Sequence, residues 1–181
     1  MEIRKLKGIF LGDKMLISEK LQIAMNQQIA NEFGASLQYI HIAAYFDDED
    51  LLKFSQLFFD QAEEEKEHAM KFVHYILDAG GKVEIPAFPK SIASFSSAEE
   101  AVGAALAWEV EVTKQINALM QIAVDESDFI GQDFLRWFVT EQLEEISKMQ
   151  TILGIIEKSV GHLLLAETVV METMPAEGAA A

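Results

Sequence analysis

Residues 54–75 read FSQLFFDQAEEEKEHAMKFVHY. Taken in steps of three and four, this run picks out Phe54, Phe58, Gln61, Glu65, His68, Phe72 and Tyr75. An α-helix repeats every ~3.6 residues, so all seven fall on one stripe. The stripe is aromatic at both ends and polar in the middle. A carboxylate buried in such a stripe is costly unless something compensates its charge.

Other segments repeat the pattern. The periodicity predicts helices over 16–45, 50–79, 97–125 and 129–158, with a shorter apolar segment at 163–171. The first stripe is Met25, Ile29, Glu32, Ser36, Tyr39, Ala43. The third is Val102, Ala105, Glu109, Val112, Ile116, Leu119. The fourth is Phe134, Phe138, Glu141 with Gln142, Glu145, Met149, Ile152, Ile156. Each carries a glutamate where a hydrophobe would pack.

Punctuation fits these limits. Asp47, Asp48 and Asp50 are expected to break the first junction and cap the second helix. Gly80-Gly81 stops that helix, and Pro86 and Pro89 keep 80–96 extended. Ser96 or Ser97, followed by Glu99 and Glu100, opens the third helix as a capping box. Residues 125–128 mark a short break, and Gly161 follows the fourth helix. Short joins at 46–49 and 126–128 make neighbouring helices antiparallel. The connection at 80–96 is long enough to reach ~55 Å when extended, and a 30-residue helix is ~45 Å long. It therefore runs the length of a bundle and makes helices two and three parallel. The expected fold is all-α, a four-helix bundle with one long crossover and a short fifth helix.

The chain has 181 residues, which suits one domain. That domain is placed at 15–173. Residues 1–14, basic at Arg4, Lys5, Lys7 and Lys14, read as a flexible extension, and Met15 offers an alternative start. Residues 174–181 read as a disordered tail. The chain has no cysteine, which excludes disulfides and Cys-ligated metal modules and fits a cytoplasmic location. The formal charge is −16, from 30 acids against 14 bases. Nucleic acid is thereby disfavoured. Cations are the natural partner, the plain alternative being acidity that serves solubility alone. No apolar run approaches the ~18 to 20 residues of a membrane span.

Glu32, Glu65, Glu109 and Glu145 each lie within about two residues of a helix midpoint, or ~3 Å along its axis. Residues at mid-helix stay level in either direction, so the four carboxylates converge. Raised pKa values would relieve their repulsion by keeping several of the glutamates protonated and neutral. Two divalent cations would balance it outright, and no Lys or Arg lies in the stripes. His68, three residues after Glu65, projects from the same face. Oxygen ligands with one nitrogen suit iron or manganese better than copper, and zinc also binds such sets. A single ExxH or one stripe glutamate is usually a surface feature. Four at one level, with the histidine, point to metal.

These residues also resemble a family. Asn31-Glu32-Phe33 through Tyr39, EEEKEH at 63–68, Trp108-Glu109 with Thr113, FLRWF at 134–138 and TEQLEE at 140–145 are similar to bacterial non-haem ferritins over about residues 16–171. The resemblance implies a ferroxidase that oxidises Fe(II) with O2 or H2O2 and stores ferric oxyhydroxide within a 24-subunit homo-oligomeric cage. It implies a first iron at Glu32, Glu65 and His68, with Glu65 bridging to a second iron at Glu109 and Glu145. It places Gln142 beside the second iron and Tyr39 and Trp137 next to the centre as electron donors. It implies a third, weaker site at Glu64, Glu141 and Glu144. Trp137 and Tyr39 serving as core packing, and Glu64 and Glu144 as a solvated face, are the plain alternatives.

Departures narrow the subfamily. Bacterioferritins carry a second ExxH where this chain has Gln142 and Glu145, so no dedicated haem is expected. Rubrerythrins need a cysteine module. Mini-ferritins bind iron between subunits and lack the last helix. Asp128 matches one acid of an iron-entry pore, but its partner position is Gly131; Asp125, Glu126 and Asp133 lie near. His41, His74 and His162 fall outside the glutamate level and read as surface or interface packing. Two other readings stay open: a di-metal redox enzyme that stores nothing, and a metal-free scaffold.

Overall fold

The computed structural model describes residues 15–174. The extension read at 1–14 and the tail at 175–181 lie outside the described residues, while Met174 closes the last helix as its C-cap. The helices are α1 (Glu19–Asp48), α2 (Leu52–Asp78), α3 (Ala98–Asp125), α4 (Phe129–Ser159) and α5 (Leu163–Thr173). The first four form the bundle, and α5 packs against α4 and the start of α2.

Helix ends follow local chemistry. Ser97 Oγ accepts from Glu100 N at 3.1 Å, and Glu100 Oε2 accepts from Ser96 N at 2.7 Å. This is a variant of the capping box expected at α3, with the glutamate reaching the N–H of the residue before the N-cap, Ser97. Gly80 and Gly161 take φ of +77° and +84° past the ends of α2 and α4, a region that glycine enters without steric cost. Asp128 Oδ1 caps α4 by accepting from Gly131 N at 2.8 Å. A Cβ at Gly131 would stand 2.7 Å from Asp128 Oδ2, so the cap needs glycine there.

The expected aspartate cap of α2 is not formed. Asp47 and Asp48 are the last residues of α1, which runs three residues beyond the expected end, and Asp50 turns the chain with φ of +57°. The N-cap of α2 is Leu51, whose side chain offers no acceptor. Glu167 of α5 takes the role: its Oε1 accepts from Lys53 N at 2.7 Å and Phe54 N at 3.1 Å. A carboxylate suits this place because the first N–H groups of a helix lack partners and carry partial positive charge.

The crossover lies along α1 and runs in the same direction. Gln22 Oε1 accepts from Lys82 N at 2.8 Å, and Asn26 pairs with Lys82 O and Glu84 N. Further on, Gln38 both donates to Ile92 O and accepts from Ile92 N. Three amide side chains thus act as rungs for a strap with no regular structure of its own. Between them, Gly34 lets Pro89 approach, since a Cβ there would meet Pro89 Cδ at 2.8 Å. The strap delivers α3 to the end where α1 finishes, marked by the edge contact of Tyr45 and Phe95. Helices α2 and α3 are therefore parallel, as the loop lengths required.

The apolar core is in two blocks. One holds Ile42, Phe46, Phe54, Phe58, Val102, Ile152 and Ile156, extended by Ala166 and Val170 of α5. The other holds Met25, Ile29, Phe72, Ile76, Val112, Ile116 and Phe138. Glu32, Glu65, Glu109 and Glu145 fall between the two blocks in every helix. Among the described residues, no helix is long and apolar enough to cross a membrane.

Candidate di-metal centre

Each bundle helix brings one glutamate to the level between the blocks. Glu65 and Glu109 are fully buried, and Glu32 and Glu145 nearly so, at 1 % and 2 % exposure. Glu32, Glu65 and His68 each place one ligand atom within 4.8 Å of the others, and so do Glu65, Glu109 and Glu145. Glu65 belongs to both groups and stands between them, the position of a bridging carboxylate.

Neighbouring polar side chains hold these carboxylates in place. Gln28 donates to Glu32 at 2.9 Å, and Gln61 donates to Glu65 at 3.3 Å. Both pairs are four residues apart on one helix, the spacing at which side chains meet. Tyr39 OH donates to Glu109 Oε1. Gln142 Nε2 approaches Glu109 Oε2 at 3.4 Å and is oriented by Thr113 Oγ1, which donates to Gln142 Oε1 at 2.9 Å. The repeated QxxxE spacing was the signal in the sequence for Gln28 and Gln61.

One oxygen on each of Glu32 and Glu145 has no hydrogen-bond donor, and Glu65 Oε2 has only His68 Nδ1, at 3.4 Å. Buried carboxylate oxygens left in this state are rare and costly. Burial, then the charge of Glu65, holds the Glu32 carboxyl well above its usual range, and Glu109 is raised for the same two causes. Burial raises Glu145 to about 7 against the opposing charge of Lys148. Burial and then Glu109 raise the Tyr39 phenol. For His68, burial favours the neutral ring, but the hydrogen bond and charge of Glu65 outweigh it and the net shift is upward. A set of acids that resists ionising together, with oxygens aimed at a common space, fits divalent cations in that space.

The remaining sequence assignments divide. Glu64 and Glu141 lie with His68 in a third group, their ligand atoms within 4.8 Å of one another. Glu144 is exposed and stands outside all three groups. Trp137 meets the edge of His68 at 5.3 Å between ring centroids, and Lys71 Nζ sits 4.2 Å above its ring. Asp128 serves as the α4 cap. His74 and His162 are exposed and His41 is half-buried, none of them at the centre. One expectation fails: a lysine does reach the carboxylates. Lys148 Nζ lies 3.3 Å from Glu64 and 3.8 Å from Glu145. It stands three residues after Glu145, at the edge of the stripe, and its four-carbon stem carries the ammonium inward.

Comparison with known proteins agrees with this geometry. The model of the ferritin-like domain matches residues 23–159, which contain all four glutamates and His68. The chain belongs to the ferritin-like family. Among its relatives, ferritin BfrB of Mycolicibacterium smegmatis is 39 % identical over 163 residues, covering 90 % of each chain. The bacterial non-heme ferritin of Staphylococcus aureus is 37 % identical over 136 residues, covering 75 % of this chain and 82 % of that one. An open pore ferritin from the hyperthermophilic archaeon Archaeoglobus fulgidus superposes with a TM-score of 0.82 at 32 % identity, covering 87 % of this chain and 98 % of that one. The ferritin-like fold is shared with this structural neighbour.

Proposed function

We propose that this chain is an iron-storage ferritin whose single domain, residues 15–173, oxidises Fe(II) at a di-iron centre and deposits the ferric product inside a homo-oligomeric cage, of 24 subunits by family likeness. The observation that carries this reading is the pair of buried ligand groups sharing Glu65. Iron is the substrate. Glu32, Glu65 and His68 receive one Fe(II), and Glu65, Glu109 and Glu145 receive the other. Two Fe(II) ions give up two electrons, which reduce O2 with two protons to H2O2, or H2O2 with two protons to water. Carboxylates stabilise the higher charge of the Fe(III) that forms.

The other residues have supporting roles in this scheme. Gln28, Gln61 and Gln142 orient the ligands. An ion held through His68 Nδ1 would leave the proton on Nε2, which faces Glu141 at 3.9 Å. Tyr39, hydrogen-bonded to Glu109, and Trp137, against His68, are placed to supply electrons to the centre. Glu64 and Glu141 form an outer station, and Glu144 lies beyond it on the exposed face of α4.

Aerobic Fe(II) oxidation, followed by the absorbance of the ferric product, tests the reading. Glu65→Ala and His68→Ala are expected to slow oxidation by roughly 100-fold or more, toward the rate without protein, since even outlying supports of metal ligands cost 10–100-fold. Variants that oxidise iron as fast as the parent would remove the catalytic role. Native mass and iron content of the same aerobically loaded sample test storage. A large shell rich in ferric iron supports it. A small assembly that turns over iron without retaining it would instead identify a di-metal redox enzyme.

A further inference from the structure

Lys148 stands on α4 one turn after Glu145, with 31 % of its side chain exposed. Its ammonium links Glu64 of α2, at 3.3 Å, to Glu145, at 3.8 Å. It therefore lies between the buried centre and the outer group of Glu64, His68 and Glu141. That outer group shares His68 with the buried centre, and the two claims on the ring conflict. Nδ1 is 3.4 Å from Glu65, and Nε2 is 3.9 Å from Glu141. A neutral imidazole has one nitrogen that accepts and one that carries hydrogen. Once Nδ1 serves an ion in the buried centre, Nε2 keeps its proton and is no ligand. A third ion would then find only two carboxylates, and one of them already faces an ammonium.

We propose that Lys148 is a tethered cation standing in place of a third metal ion, and that it limits this centre to two tightly held ions per subunit. The inference rests on the reading of Glu32, Glu65, His68, Glu109 and Glu145 as metal ligands. Physically, a fixed positive charge a few ångströms from Glu64 opposes the entry of a dication by direct repulsion and by occupying the oxygen that would bind it. An oxidised ion leaving the buried pair thus meets no strong holding point on this side of α2 and α4. The lysine makes Lys148 a specificity-determining residue for how many ions the centre retains.

The test uses Zn(II), which undergoes no redox change, titrated calorimetrically into the metal-free assembled protein. The parent and Lys148→Arg are expected to bind two ions per subunit tightly. Lys148→Met is expected to gain a third, bound at least tenfold tighter than any third ion on the parent, and anomalous diffraction should place it beside Glu64. Adding Glu64→Gln to Lys148→Met should abolish the gain. A Lys148→Met isotherm identical to that of the parent, or a third ion gained equally by Lys148→Arg, would overturn the proposal. If Lys148→Met does not retain the parent's helicity and native mass, Lys148→Gln takes its place with the same expectations. A parent that binds no Zn(II) in the buried groups would overturn the metal-centre reading itself, an outcome distinct from two tight ions with Lys148 indifferent.

Discussion

At the scale of the residue, the glutamate layer costs the metal-free fold stability as its buried acids ionise. Glu32 and Glu109 are raised well above the usual carboxylate range, and Glu145 is raised to about 7, all primarily by burial. A carboxyl with a raised folded pKa keeps its proton in the native state where the unfolded chain has lost it. Its stability contribution is therefore whole below the unfolded value and is lost as pH climbs through the folded one. For Glu145 the window runs from about 4.5 to about 7, and the loss is on the order of 3 kcal/mol. The metal-free protein should lose Tm as pH is raised across this window, and Glu145→Gln should flatten that slope. Thermal melts at stepped pH would show it, and parallel slopes for both proteins would contradict it. Added divalent cation should restore Tm most at the upper end, where it no longer competes with protons. The glutamates were legible in the sequence because a carboxylate at a core position is an anomaly visible in one dimension. Lys148 was not, because it lies at the edge of the stripe three residues after Glu145, and the sequence does not show that its flexible stem turns inward to meet Glu64 on another helix.

At the scale of the element, α2 begins without a cap of its own and borrows one from α5. Glu167 is 6 % exposed and accepts two backbone N–H groups at the start of α2. Glu167→Ala would orphan both and should cost about 1 to 3 kcal/mol. Chemical denaturation would measure the loss, and faster hydrogen exchange at Lys53 and Phe54 would locate it. Exchange there unchanged from the parent would refute the borrowed cap. The sequence pointed instead to Asp47, Asp48 and Asp50, which are the right residue types near the right place. It could not show that α1 continues through Asp48, because a helix end shifts with the packing of its last turn. The crossover shows the same division. Its length and prolines were readable, but the rungs supplied by Gln22, Asn26 and Gln38 come from residues 60, 56 and 54 positions away.

At the scale of the whole molecule, the single chain leaves apolar surface uncovered. Leu164 and Leu165 of α5 are 69 % and 60 % exposed. The outer faces of α1 and α2 also show Ile23, Leu37, Ile40 and Phe59. We read the exposed leucines of α5 as a surface that packs against other chains. In the proposed cage, Leu164→Ser with Leu165→Ser should shift native mass toward smaller species, with the bundle itself still folded. Initial Fe(II) oxidation per subunit should persist, because the proposed ligands all lie within one chain, while retained mineral should fall. A variant of unchanged mass would show that α5 does not hold the assembly together.

The sequence by itself determined the four amphipathic rods, the long crossover and the level at which the glutamates meet, because helical period and loop length are local properties written along one dimension. The tertiary structure decided which oxygens share a space, that Glu65 stands between two ligand groups, that Glu167 caps a distant helix and that Lys148 reaches the centre. Those facts depend on distances between residues remote in the chain, and such distances exist only once the rods have packed.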